Sequence, residues 1–160
     1  MNMSRLEPVP IRTKGQSFLA RVWALLTVTR KWAVIENWFF TLPNGVKIVV
    51  PAGFIFDGAS IPKPLWFLLS PIDLVFIAGL IHDFAYRYGY LWAIASDGRY
   101  YRYRFKNGSR LDYDQLFRDV NVQVNGMIYT DYIAASLLKL FGSIAWNKKS
   151  KLDDGEIMPG

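Results

Sequence analysis

The sequence predicts an α+β fold, antiparallel β-hairpins packed on a bundle of three to four helices. Three observations carry this. Two aromatic and β-branched runs flank the turn tripeptide "PNG" at 43–45. A second such pair flanks Asp97-Gly98. Helical periodicity with N-terminal capping signals marks the stretches between and after them.

Taken in order, "KWAVIENWFFTL" and "GVKIVVPAGFIF" read as a hairpin over about 31–42 and 46–56. At "DGASIPKPLW" the texture changes. Ser60 before Ile61-Pro62 is a helix-start pattern, predicting a short helix through Trp66 to Leu69. In "SPID", Ser70 is a candidate N-cap, Pro71 suits the first helical position and Asp73 lies three residues after the cap, so a helix runs from about 71 to 88. Positions 74–81 are apolar on every side, which predicts burial. "YLWAIASDGRYYRYRF" reads as a hairpin closed by a two-residue Asp97-Gly98 turn. Ser109 opens S-x-x-D with Asp112, and Tyr113, Leu116, Phe117, Val120 and Val124 recur at helical spacing over about 110–125. Asn125-Gly126 ends that helix, and a last one covers about 129–145. The expected organisation is one domain over 1–146, with a core of about 30–145, an inserted hairpin at about 88–108 and a flexible polar tail over 147–160.

The chain has 160 residues, no cysteine and a formal net charge of +6, with six Trp, nine Tyr and eleven Phe. The absence of cysteine excludes disulfides, thiolate metal sites and cysteine nucleophiles. A basic, aromatic surface fits nucleic acid, an anionic membrane or an acidic protein. No Lys/Arg run favours one of these, and sequence-specific nucleic-acid binding is not expected. The apolar segment 18–28 carries Arg21 and lacks a cleavage site, so no signal peptide is expected. Pro71 and Asp73 interrupt the apolar stretch 65–81, which argues for a buried core and against a membrane span.

The chemistry concentrates around "GLIHDFAYRYGY". His82 is the one histidine, Asp83 follows it and Tyr86 comes one helical turn later. His82 and Asp83 project about 100° apart on a helix. On a buried helix each then needs a partner, because an unpaired buried charge costs several kcal/mol, about the size that ends in neutralisation. Asp114, at the edge of the 110–125 stripe, can accept from one imidazole nitrogen and leave the other as a general base. It also suits a plain first-turn acid on the helix dipole. Tyr86 either bonds a buried carboxylate or belongs to the core. Asp57-Gly58 closes a strand, at a place suited to function and to ordinary turn chemistry alike. Ser60 is a candidate nucleophile or simply an N-cap. Asp57 and Asp83 are candidate ligands for a divalent cation such as Ca²⁺. One His and no Cys make a zinc site unusual.

"VPAGFIFDGASIPKPLW", "AGLIHDFAY" and "SRLDYDQLF" together resemble the domain of unknown function 1353 family of small proteins from tailed bacteriophages and prophages. The family pattern falls on Val50 to Phe54, Asp57 to Pro62, His82 to Tyr86 and Asp114 to Phe117. The resemblance implies a phage or prophage origin, with the virion or the infected cell's cytoplasm as location, and brings no established reaction. H-D-x-x-Y on a buried helix also resembles secreted phospholipases A2, where a second aspartate on the next long helix orients the His and the Asp after the His binds calcium. His82, Asp83, Tyr86 and Asp114 match that order, but the disulfide framework and glycine-rich calcium loop are missing. Two functions are expected from these residues. One is a small hydrolase with His82 as base, oriented by Asp114 and acting on an ester or lipid near a membrane. The other is a non-catalytic virion component (tail or connector) or host-interaction protein with a structural His–Asp cluster.

Overall fold

A computed structural model describes residues 5–9, 17–19, 31–56, 76–126 and 155–160. Seven strands and two long helices lie in these segments: β1 (Leu6–Pro8), β2 (Trp32–Val34), β3 (Trp38–Thr41), β4 (Lys47–Val50), β5 (Ile55–Phe56), α1 (Phe76–Tyr88), β6 (Leu91–Ile94), β7 (Tyr100–Tyr103) and α2 (Arg110–Asn125). The strands form two antiparallel sheets, ordered β1-β2-β5 and β3-β4-β6-β7. The mixed α and β class is as the sequence predicts. The predicted count of three to four helices is not reached among the described residues. The short helix ending near Leu69, the first residues of the 71–88 helix and the helix over 129–145 fall outside them. No helix among the described residues is long and apolar enough to cross a membrane.

The hairpin expected over 31–56 forms, but it is divided between the two sheets. Its ends pair as Trp32↔Phe56 and Ala33↔Ile55, its tip as Trp38↔Val50 through Thr41↔Lys47. The number of residues between these pairs is equal on the two arms, so one register runs through both sheets. The break has local causes. Pro51 has no N–H for a ladder, and the Ala52 N–H donates instead to Asn37 Oδ1 at 2.9 Å. Gly53 donates back to the Val34 carbonyl at 2.7 Å.

Both hairpin tips have three-residue loops. Leu42 N donates to Val46 O and Gly45 N to Leu42 O; Ala95 N donates to Arg99 O and Gly98 N to Ala95 O. Gly45 and Gly98 take φ of 84° and 83°, a left-handed geometry that costs a residue with a Cβ about 1 kcal/mol or more. The two-residue turn predicted at Asp97-Gly98 is thus corrected to a longer loop that includes Ser96. Asn44 and Asp97 each accept from the backbone N–H two residues on, fixing the bend.

α1 is the central element. Every residue from Ile77 to Tyr86 is buried, as its all-round apolarity predicts. Phe76 meets Trp32 and Phe56, and Phe84 meets Phe54 with centroids 4.9 Å apart, so the smaller sheet covers one flank. α2 covers another flank. Full burial of such side chains stabilises by about 1.5–3 kcal/mol each, which makes this packing the main force orienting α1. The boundaries of α2 match the predicted ones. Ser109 accepts from the Asp112 N–H while Asp112 accepts from the Ser109 N–H, a complete capping box, and Gly126 closes the other end.

Of the tail expected over 147–160, residues 147–154 lie outside the described residues. Residues 155–160 lie along the four-stranded sheet: Ile157 is half-buried against the core, and the indole Nε1 of Trp92 donates to the Ile157 carbonyl at 3.0 Å. Side chains 54 to 123 residues upstream supply such anchors, and a scan of local composition does not register them.

Candidate active site

α1 and α2 meet along one seam, and the polar cluster sits in it. His82 and Tyr86 are one turn apart on α1 and therefore share a face. α2 answers with Asp114 and, one turn on, Phe117. His82 Nε2 lies 3.1 Å from Asp114 Oδ1, and the Tyr86 hydroxyl donates to the same oxygen. Asp114 Oδ2 accepts from Arg110 Nη1 at 3.3 Å, a contact between side chains four apart on α2. The imidazole stacks tilted on the Tyr86 ring, centroids 3.8 Å apart, and meets the edge of Phe117 at 5.4 Å. Relative exposures of 5% for His82, 5% for Asp83 and 9% for Asp114 put the whole cluster behind the surface.

The hydrogen-bond pattern assigns the histidine tautomer. An ionised carboxylate has only acceptors, so the proton on the His82–Asp114 contact belongs to Nε2. In the neutral imidazole Nδ1 then carries the lone pair. Burial, and next the bond to Asp114, push the Tyr86 phenol far above its ordinary value, so it remains a donor to Asp114. Nδ1 points toward Asp83, whose Oδ1 is 4.0 Å away. That separation exceeds a direct hydrogen bond.

Four of the seven predicted site residues are thereby brought together: His82, Asp83, Tyr86 and Asp114. Asp57, Gly58 and Ser60 lie outside the described residues. Among the described residues no group of three or more His, Asp or Glu side chains could hold a metal ion. Sequence reasoning missed three members of the seam. Arg110 grips the second oxygen of Asp114, and the i, i+4 spacing of Arg110 and Asp114 was the available signal. Phe117 was read only as core, though it also walls the imidazole. Asn121, 1% exposed, makes no side-chain hydrogen bond among the described residues. It continues the Asp114–Phe117 stripe at helical spacing, so a polar residue at an apolar position was the signal.

At the end of the seam Tyr113 donates to the carbonyl of Gly89, just past α1, at 2.8 Å. Burial raises its phenol to about 12. This bond fixes the axial offset of the helices, which sets the height of Asp114 against His82.

The fold and the seam define a mixed α and β protein with a buried His–Asp pair, held across two helices and buttressed by Tyr and Arg. The chain belongs to the family described as "Protein of unknown function (DUF1353)", whose model matches residues 32–133. That range takes in both helices of the seam and the Asp57–Ser60 segment. No curated protein and no solved structure matches the chain.

Proposed function

We propose that His82 is the general base of a small hydrolase acting on a carboxylic ester, with Asp114 as the residue that orients it. One observation carries the reading: the 3.1 Å contact between His82 Nε2 and Asp114 Oδ1, which fixes the tautomer and leaves Nδ1 basic. The 4.0 Å between Nδ1 and Asp83 Oδ1 suits one bridging water, whose hydrogen bonds of about 2.8 Å reach both atoms. In the reaction, that water gives a proton to Nδ1 as its oxygen bonds to the ester carbonyl carbon. Asp114 and Asp83 stabilise the imidazolium. The proton then passes from Nδ1 to the departing alkoxide as the carbon–oxygen bond breaks. Tyr86 and Arg110 hold Asp114 in place and take no part in proton transfer.

Lipid esters at a membrane suit the basic, aromatic composition, and the sequence motifs resemble those of small phage and prophage proteins. Asp57 and Asp83 remain proposed cation ligands, tested by adding Ca²⁺ or a chelator to the assay. The decisive comparison is His82→Ala and Asp114→Asn against the parent chain on a panel of soluble and lipid esters. A general base contributes about 10²–10⁴-fold, so both variants are expected to lose turnover on that scale while melting cooperatively. Absence of turnover by the parent on every ester, with and without Ca²⁺, rejects the proposal.

The depth of burial favours a second reading, in which the cluster is a polar network specifying the α1–α2 packing. The protein then serves as a virion part or binds a host protein. Stoichiometric recovery in purified particles supports that role, and a folded, catalytically competent chain absent from particles rejects it.

A further inference from the structure

Residues 155–160 form a strap that the His82 chemistry does not involve. Phe39, Val49, Trp92 and Arg102 are successive register partners, so they form one row across a face of the four-stranded sheet. The strap follows that row. Glu156 sits at the β7 end, where Arg102 Nη2 donates to both carboxylate oxygens at 2.6 Å and Arg102 Nε adds a bond of 2.9 Å. Tyr90 donates to Glu156 Oε1 at 2.5 Å. The carbonyl of Ile157 takes the Trp92 indole N–H, and that of Gly160 takes the Asn37 side-chain amide at 2.9 Å near β3. Side chains alternate along the strap: Ile157 and Pro159 turn inward, whereas Met158 is 64% exposed.

These contacts are those of a docked linear peptide: bonds to main-chain carbonyls, side chains that alternate inward and outward, and one charged anchor. Arg102 also lies over the rings of Tyr90 and Trp92, 5.0 and 5.9 Å from their centroids, which help to hold its guanidinium. Asn37 is held by the Ala52 N–H. The bonds from Tyr90 and Arg102 hold the Glu156 carboxyl below its ordinary range, as a committed anion. All four receptor residues lie inside the family match at 32–133, and the strap lies beyond it.

We propose that this face is a docking site for an extended acidic–aliphatic segment of a partner protein, Glu followed by an aliphatic residue, with residues 155–160 as the resident ligand that the partner displaces. The test titrates full chains with a labelled peptide of sequence GEIMPG. Glu156→Lys and Ile157→Ser, both at exposed or half-exposed positions, weaken the resident strap. Each is expected to bind the peptide at least tenfold more tightly than the parent chain, in which the strap competes at an effective concentration of about millimolar. A peptide with Lys in place of Glu is expected not to bind these variants, and Arg102→Glu is expected to lose the Glu peptide. No saturable binding by either strap variant, or equal binding of the two peptides, overturns the proposal. Strap exchange between copies, seen as hetero-oligomers on mixing Arg102→Glu with Glu156→Arg chains, overturns it in favour of a second copy as the occupant.

Discussion

Tyr86→Phe removes one hydroxyl and keeps the ring, which makes it the cleanest probe of the seam. Tyr86 is 1% exposed and packs on His82 with centroids 3.8 Å apart, so the phenylalanine ring inherits the same contacts. The bond to Asp114 Oδ1 is lost with the hydroxyl. A hydrogen bond to a charged group contributes about 1.5–3 kcal/mol, against about 1 for a neutral pair. Two considerations place the loss near the lower end. Asp114 keeps His82 at 3.1 Å and Arg110 at 3.3 Å. The phenylalanine also escapes the cost of dehydrating a hydroxyl. The expected loss is about 1.5–2 kcal/mol. For a chain of this size each kcal/mol lowers Tm by about 2–4 °C, so the melt should fall by about 3–8 °C. Urea unfolding followed by circular dichroism supplies the free energy, provided the slope m is unchanged. Asp114→Ala should cost more, about 3–5 kcal/mol, because it strips His82, Tyr86 and Arg110 of one acceptor together. A Tyr86→Phe effect below about 0.5 kcal/mol, or a larger loss in Tyr86→Phe than in Asp114→Ala, would refute the claim that Asp114 is the hub.

Alkaline pH should weaken the fold through its phenols. Tyr86, Tyr90 and Tyr113 are all raised, chiefly by burial, and Tyr113 reaches about 12. A raised pKa contributes stability that is complete below the unfolded value of about 10 and is lost as pH rises through the folded value. Urea midpoints should therefore be lower at about pH 11 than at about pH 9, and equal midpoints would contradict these shifts. Ser109→Ala should cost about 1 kcal/mol by dismantling the capping box of α2, read as a lower Tm; an unchanged melt would mean that the cap is dispensable.

How far the fold was legible follows the reach of each interaction. The capping box spans four residues and each hairpin tip spans five, so local chemistry announces them. Asp97-Gly98 was read one residue short because a loop with Gly in the left-handed position and a two-residue turn share that dipeptide. The division of the first hairpin was written in Pro51 and Asn37, but the bond from Ala52 to Asn37 joins the two arms and is not a local pattern. The His82–Asp114 pairing spans 32 residues and was still inferable. Burial of α1 followed from its all-round apolarity, and buried polar groups need partners, which leaves few candidates in a chain with 13 acidic residues. The strap was not inferable. Of its residues only Ile157 and Pro159 turn inward, and its fixed points at Asn37, Tyr90, Trp92 and Arg102 lie 54 to 123 residues away.

The two readings of the seam share every hydrogen bond on Asp114 and separate at the other imidazole nitrogen. A network that only specified packing would gain most from closing Nδ1 against a donor at about 2.9 Å, since a buried acceptor left open costs about 1–3 kcal/mol. The group facing Nδ1 is instead a second carboxylate at 4.0 Å, an acceptor opposite an acceptor. Two acceptors at that distance are reconciled by a molecule that donates to both, and water does so. The same arrangement is what proton abstraction from water requires: one nitrogen locked by Asp114, the other open toward a bridging donor, and an anion beside it to stabilise the imidazolium. In the proposed hydrolase, Asp83, 5% exposed, is that anion beside the imidazole.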